Sequence, residues 1–155
     1  MPQGQVIRKG KMIFSSININ ATPQQVWAVL TDFAKYGEWN PFVRTFTGTP
    51  VVGEKVSITL HQPGGKPMTF TPTILQYNKY KELKWLGSLL MPYLFDGEHT
   101  FKLMDNGDGS TTLQQYEHFR GILVPFLAKM LDQQSLEGFR QMNEALKKRV
   151  EMISA

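Results

Sequence analysis

The sequence contains no cysteine, which excludes disulfide bonds and thiolate metal sites. It also lacks any long hydrophobic run, because no stretch approaches the ~20 apolar residues that are needed to span a bilayer. Residues 1–11 are polar and contain glycine, unlike the apolar core of a signal peptide. We therefore expect a cytoplasmic protein that does not insert stably into a membrane.

Positive charge is in slight excess, but it is not concentrated in one segment of the sequence. The chain has 17 Lys and Arg against 13 Asp and Glu, a net charge of +4, and its basic residues are spread along the sequence. We therefore expect no nucleic-acid partner. The three histidines, His61, His99 and His118, show no metal-ligand spacing, and no phosphate-binding loop or serine-nucleophile motif is present. Neither a metal site nor a cofactor is expected.

The composition is that of one globular domain. With 155 residues, 41% of them hydrophobic and 19% charged, the chain is long enough to bury a core without metals or disulfides. We expect a flexible N-terminal segment at residues 1–10 and a folded domain at residues 11–155. The sequence does not indicate an oligomeric state.

The first half begins with a strand and two short helices. Alternating apolar residues over 11–20 predict a half-buried strand. Thr22 and Gln25 have the spacing of a capping box, so a helix is expected to begin at Pro23. A second short helix should end near Trp39.

The remaining pattern predicts more strands and a final helix. Pro72 within one apolar run implies an edge strand or a bulge, and Gly138 indicates a helix bend, close packing or room for a ligand. We expect an α+β fold with a seven-stranded curved antiparallel sheet, two short helices after the first strand and a long C-terminal helix across the concave face. Beyond the first strand, those that the pattern locates are 56–60, 68–74, 83–89, 95–104 and 111–121, with a turn at 91–93 and the helix at 124–153.

Several short motifs resemble the SRPBCC superfamily, which includes START lipid-transfer domains, plant pollen-allergen proteins and polyketide cyclase/dehydrases. They are residues 17–23 leading into Val26 and Trp27, the stretch 39–41, and the segments 83–85, 99–101, 109–111 and 117–121. The resemblance implies a helix-grip fold, with an apolar cavity of roughly 300 to 1,000 Å³ between the sheet and the C-terminal helix. It does not identify the ligand, because this fold hosts many functions.

Strand alternation and helix periodicity indicate which side chains face this cavity. The apolar candidates for ligand binding are Ile58, Phe70, Trp85, Phe101, Phe119, Phe126, Met130 and Phe139. Trp85 is expected near the cavity. Three polar residues, His99, Gln115 and Glu117, share the inward faces of their strands and are further candidates.

The hairpin between the last two strands decides which polar residues pair. If its loop covers residues 106–110, Asp105 lies opposite Thr111 and His99 lies opposite Glu117. A loop that differs by two residues would place His99 opposite Gln115 instead.

Two classes of function follow, and a third stays open. The leading interpretation is binding or carriage of a hydrophobic small molecule, lipid-like or aromatic and polyketide-like. The alternative is a cofactor-independent cyclase or aromatase that uses His99 or Glu117 as acid or base. A protein–protein regulator is the second alternative. Binding is favoured over catalysis because no nucleophile or cofactor motif is visible.

Overall fold

The fold is described from a computed structural model, for residues 10–89 and 94–155. Apart from Gly10, the predicted flexible segment lies outside these residues, as does the turn predicted at 91–93. In the described ranges, no helix combines the length and the apolar character needed to cross a membrane.

Eight described strands form two antiparallel sheets. The strands are β1 Gly10–Ile19, β2 Val43–Thr47, β3 Ser57–Leu60, β4 Met68–Phe70, β5 Thr73–Asn78, β6 Glu82–Leu89, β7 Phe95–Asp105 and β8 Thr111–Arg120. The five-stranded sheet has the order β1-β8-β7-β6-β5 and the three-stranded sheet the order β2-β3-β4. The predicted single sheet of seven strands is therefore wrong in number and arrangement.

Pro72 explains part of this difference. The run at 68–74, predicted as one strand, divides there into β4, which pairs with β3, and β5, which pairs with β6. Proline has no N–H to donate to a ladder. Its carbonyl oxygen instead accepts a hydrogen bond from the Val56 N–H at 3.0 Å. One alternating segment thus contributes to both sheets.

The short helices follow β1 as predicted. Helix α1, Pro23–Leu30, begins with the expected capping box: the Gln25 N–H donates to Thr22 Oγ1 at 3.3 Å, and the Thr22 N–H donates to Gln25 Oε1 at 2.9 Å. A 3₁₀ turn at Phe33–Lys35 leads into the four-residue helix α2, Tyr36–Trp39.

The long C-terminal helix is confirmed, but it is not uniform. It consists of α3, Val124–Met130, a π-helical turn at Leu131–Ser135, and α4, Leu136–Ser154. Helix α4 packs against α1, β1 and β8 and buries Phe139, Met142, Leu146 and Val150. Helices and sheet together confirm the α+β class.

Gly138 allows α4 to approach the segment after α2. Asn40 Oδ1 accepts hydrogen bonds from the backbone N–H groups of Phe42 at 3.0 Å and Val43 at 2.9 Å. This places the Phe42 ring where a side chain at position 138 would begin, since a Cβ there would lie 2.6 Å from the ring. Close packing, rather than a ligand space, accounts for this glycine.

We predict that Gly138→Ala destabilises the protein by about 1–3 kcal/mol, because the added methyl group overpacks the contact with Phe42. Helix propensity alone predicts the opposite, a gain of about 1 kcal/mol. Gly37→Ala is the matched control, because the nearest atom to its Cβ, Arg44 O, is 3.9 Å away. Urea unfolding measures both variants. A Gly138→Ala protein as stable as the wild type would contradict the contact.

Candidate functional site

A cavity of about 260 Å³ lies between the β3–β4 hairpin, strands β6 to β8 and the start of the C-terminal helix. It is mainly apolar and slightly smaller than the predicted range. Glu117 supplies the one carboxyl group among the described lining residues. They are Leu60, Gln62, Gly65, Lys66, Met68, Phe70, Gly87, Ser88, Phe95, Gly97, Glu117, Phe119, Leu127, Met130 and Gln134.

Two glycines leave room for this cavity. Gly87 on β6 lies directly opposite Gly97 on β7. A Cβ at position 87 would lie 2.9 Å from the Phe70 ring, and one at position 97 would lie 2.8 Å from Glu117 Oε1. Sequence reasoning missed both residues. Glycine inside a strand was the available signal, because it marks the close approach of another group.

The predicted ligand-binding residues fall into three groups. Phe70, Glu117, Phe119 and Met130 line the cavity. Phe126 is 83% exposed, so its predicted place on the inner face is wrong. The helical period is the physical reason: Leu127 lines the cavity, and the residue before it is rotated away by about 100° around the helix axis. The rest are buried in the core behind the lining, and they are Ile58, Trp85, His99, Phe101, Gln115 and Phe139.

The predicted register between β7 and β8 is confirmed. Asp105 pairs with Thr111, and His99 pairs with Glu117. His99 Nδ1 lies 3.5 Å from Glu117 Oε1, and the two side chains are 3% and 16% exposed. The carboxyl group therefore reaches the cavity, whereas the imidazole lies behind it.

Aromatic rings enclose the imidazole. Trp85 pairs with His99 across β6 and β7 and stacks on it, with ring centroids 5.0 Å apart and planes 15° apart. Phe101 and Phe139 lie at centroid distances of 4.7 and 4.9 Å. Trp85, itself 2% exposed, thus supports the histidine and does not line the cavity.

A chain of hydrogen bonds fixes the other imidazole nitrogen. His99 Nε2 lies 2.9 Å from Gln115 Oε1. Gln115 Nε2 donates to Asn143 Oδ1 at 2.7 Å and to the Phe139 carbonyl oxygen at 3.4 Å. Asn143 Nδ2 donates to Ser15 Oγ at 2.9 Å, and Ser15 Oγ donates to the Gln115 carbonyl oxygen at 2.8 Å.

The Ser15 end of this chain determines which group donates and which accepts in each of its hydrogen bonds. A backbone carbonyl oxygen can only accept, so the Ser15 hydroxyl must donate to it and accept from Asn143. Each amide orientation is then determined, and Gln115 turns its oxygen toward His99. His99 Nε2 must therefore carry a proton.

The chain has sequence and structural relatives. A family model described as polyketide cyclase / dehydrase and lipid transport matches residues 13–151. No curated protein matches the chain. The ZhuI aromatase/cyclase from Streptomyces sp. R1128 superposes with a TM-score of 0.77 at 16% identity, over 94% of this chain and 96% of that one.

Two further structures show the same fold. Norcoclaurine synthase from Thalictrum flavum has a TM-score of 0.72 at 14% identity, with 94% of this chain and 97% of that chain covered. A START superfamily protein from Mycobacterium smegmatis has a TM-score of 0.71 at 17% identity, with coverage of 92% and 98%. At such identities the likeness establishes the fold and not the activity.

His118 is next to Glu117 in sequence but lies on the opposite face of β8. Its Nδ1 is buried and has no hydrogen-bond partner among the described residues. This burial lowers the pKa of His118 below its ordinary value; Glu98 raises it, while Arg120 and Lys84 lower it further. Across the described residues, no cluster of His, Asp and Glu side chains could hold a metal ion.

We predict that His118 makes stability fall as the solution becomes acidic. Between the ordinary histidine pKa and the lowered one, the unfolded chain binds more protons, so unfolding becomes easier as the pH falls. The neutral His118 makes its full contribution to the free energy of unfolding above about pH 6.5, and this contribution is lost as the pH falls through the lowered pKa. His118→Gln should flatten the pH dependence of the free energy of unfolding between pH 7 and pH 5, measured by urea titration. His61→Gln is the control, because His61 is exposed. Equal slopes for wild type and His118→Gln would contradict the burial effect.

Proposed function

Because the chain belongs to the polyketide cyclase/dehydrase and lipid transport family, we propose that its cavity binds a small, largely apolar molecule. The observation that carries this proposal is the cavity itself, which is lined mainly by apolar side chains and has one accessible carboxyl group, that of Glu117. Apolar walls favour an apolar ligand, while a single polar group orients it.

The size of the cavity limits the ligand. A volume of about 260 Å³ corresponds to roughly nine water molecules at ~30 Å³ each, so it accommodates a molecule with on the order of ten non-hydrogen atoms. A bicyclic aromatic compound such as 2-naphthol meets this limit and serves as a probe.

One observation favours a second function, acid–base catalysis on the bound molecule. Glu117 reaches the cavity and has His99 behind it at 3.5 Å, an arrangement in which a proton can move between ligand and carboxyl group. The fold is also shared with an aromatase/cyclase. Glu117→Gln separates the two functions, because an amide cannot transfer the proton at neutral pH. A binding protein keeps its affinity within a modest factor, whereas an enzyme loses turnover and retains binding.

We predict that Leu127→Trp blocks the cavity and weakens 2-naphthol binding by on the order of tenfold or more, because the indole fills space that the ligand needs. Phe126→Trp is the matched control: it is the adjacent residue of α3, is exposed and does not line the cavity. Isothermal titration calorimetry gives both dissociation constants.

Equal weakening by both tryptophan variants, or none by either, would place the probe elsewhere on the protein. Native mass spectrometry of the purified protein provides an independent test. A small molecule that copurifies with the wild type should be absent from the Leu127→Trp protein and present in the Phe126→Trp protein.

A further inference from the structure

A shared proton would stabilise the contact between His99 and Glu117. The hydrogen-bond chain through Gln115 uses the Nε2 proton of His99, so in the neutral ring Nδ1 carries only a lone pair. Nδ1 faces Glu117 Oε1 at 3.5 Å. Two lone pairs at this distance repel each other, so the pair is more stable with one proton between them. That proton can be bound to the imidazole or to the carboxyl group.

The two arrangements offer a ligand the same kind of group, a hydrogen-bond acceptor. If His99 holds the proton, Glu117 is a carboxylate and its second oxygen, Oε2, only accepts. If Glu117 holds the proton on Oε1, toward His99, Oε2 is a carbonyl-type oxygen and again only accepts. In both cases the pair is electrically neutral, so it does not attract a ligand by net charge.

From this geometry we propose that the cavity selects molecules that donate a hydrogen bond at their polar end. The substrate class is alcohols, phenols and N–H compounds of about ten non-hydrogen atoms. Ethers and carboxylates of the same shape leave the Glu117 carboxyl group without a donor and are disfavoured. The proposal rests on the proposed binding function and adds the identity of the ligand's polar group.

The other polar lining residues are Gln62, Lys66, Ser88 and Gln134, and none of them is fully buried or carries a carboxyl group. Gln62 Nε2 already donates to Ser135 Oγ on the π-helical turn at 3.1 Å. Lys66 is exposed and belongs to the turn between β3 and β4. A carboxylate ligand could be attracted to Lys66, and one arm of the test addresses this.

The test compares three probes on the intact protein: 2-naphthol, 2-methoxynaphthalene and 2-naphthoate. Protein is titrated into each probe in the calorimeter, because the ether is sparingly soluble. We expect 2-naphthol to bind at least about tenfold more tightly than either of the others, since the lost hydrogen bond involves a charged or strongly polar group. Leu127→Trp must weaken all probes that bind in the cavity.

Glu117→Gln tests whether the preference for 2-naphthol comes from the carboxyl group or from the shape of the cavity, because the variant keeps the shape of the side chain. Its amide offers an N–H donor as well as an oxygen acceptor, so the preference for 2-naphthol over the ether should shrink toward onefold. Naphthalene, which has no polar group, should bind both proteins equally. If the ratio stays unchanged in Glu117→Gln, Glu117 does not determine selectivity.

The outcomes are distinguishable. If no probe binds, the proposed binding function fails. If probes bind in the cavity and the ether or the naphthoate equals or exceeds 2-naphthol, binding stands and the inference is overturned; tighter naphthoate binding would assign selection to Lys66.

Discussion

The pairing register of β7 with β8 determines which polar groups reach the cavity. The loop at 106–110 fixes it: the Asn106 N–H donates to the Ser110 carbonyl oxygen at 3.1 Å, and Gly107 and Gly109 adopt positive φ angles of 81° and 86°, which favour glycine. A slip of one residue would turn the Glu117 side chain to the opposite face. The cavity would then lose its carboxyl group.

The same register joins the sheet to the C-terminal helix. Gln115 on β8 contacts His99 on β7 and Asn143 on α4, and Asn143 contacts Ser15 on β1. Each polar group in this buried network has a partner, which favours one arrangement of helix and sheet. The Phe42–Gly138 contact sets how closely α4 approaches. The position of α4 therefore helps to determine which nitrogen of His99 carries a proton, because Asn143 on α4 orients the Gln115 amide.

Local signals predicted much of the fold. The capping box at Thr22, the loop at 106–110 and the pairing of His99 with Glu117 each depend on a few neighbouring residues. Sequence reasoning was weaker on relations between distant elements. Alternation showed that Trp85 points inward, but not that other residues separate it from the cavity. The prediction for Phe126 was wrong because one helical residue, about 100° of rotation, separates it from Leu127, which lines the cavity.

The central claim is that the hydrogen-bond chain from Ser15 places a proton on His99 Nε2, so that Nδ1 faces the Glu117 carboxyl group. Long-range ¹H–¹⁵N correlation spectra of the ¹⁵N-labelled protein at neutral pH measure this directly, with His61→Gln and His118→Gln assigning the signals. The account predicts a protonated Nε2 for His99, either in the neutral ring or in the imidazolium. An unprotonated Nε2 with the proton on Nδ1 would contradict it, because the hydrogen-bond chain from Ser15 would then run in the opposite direction.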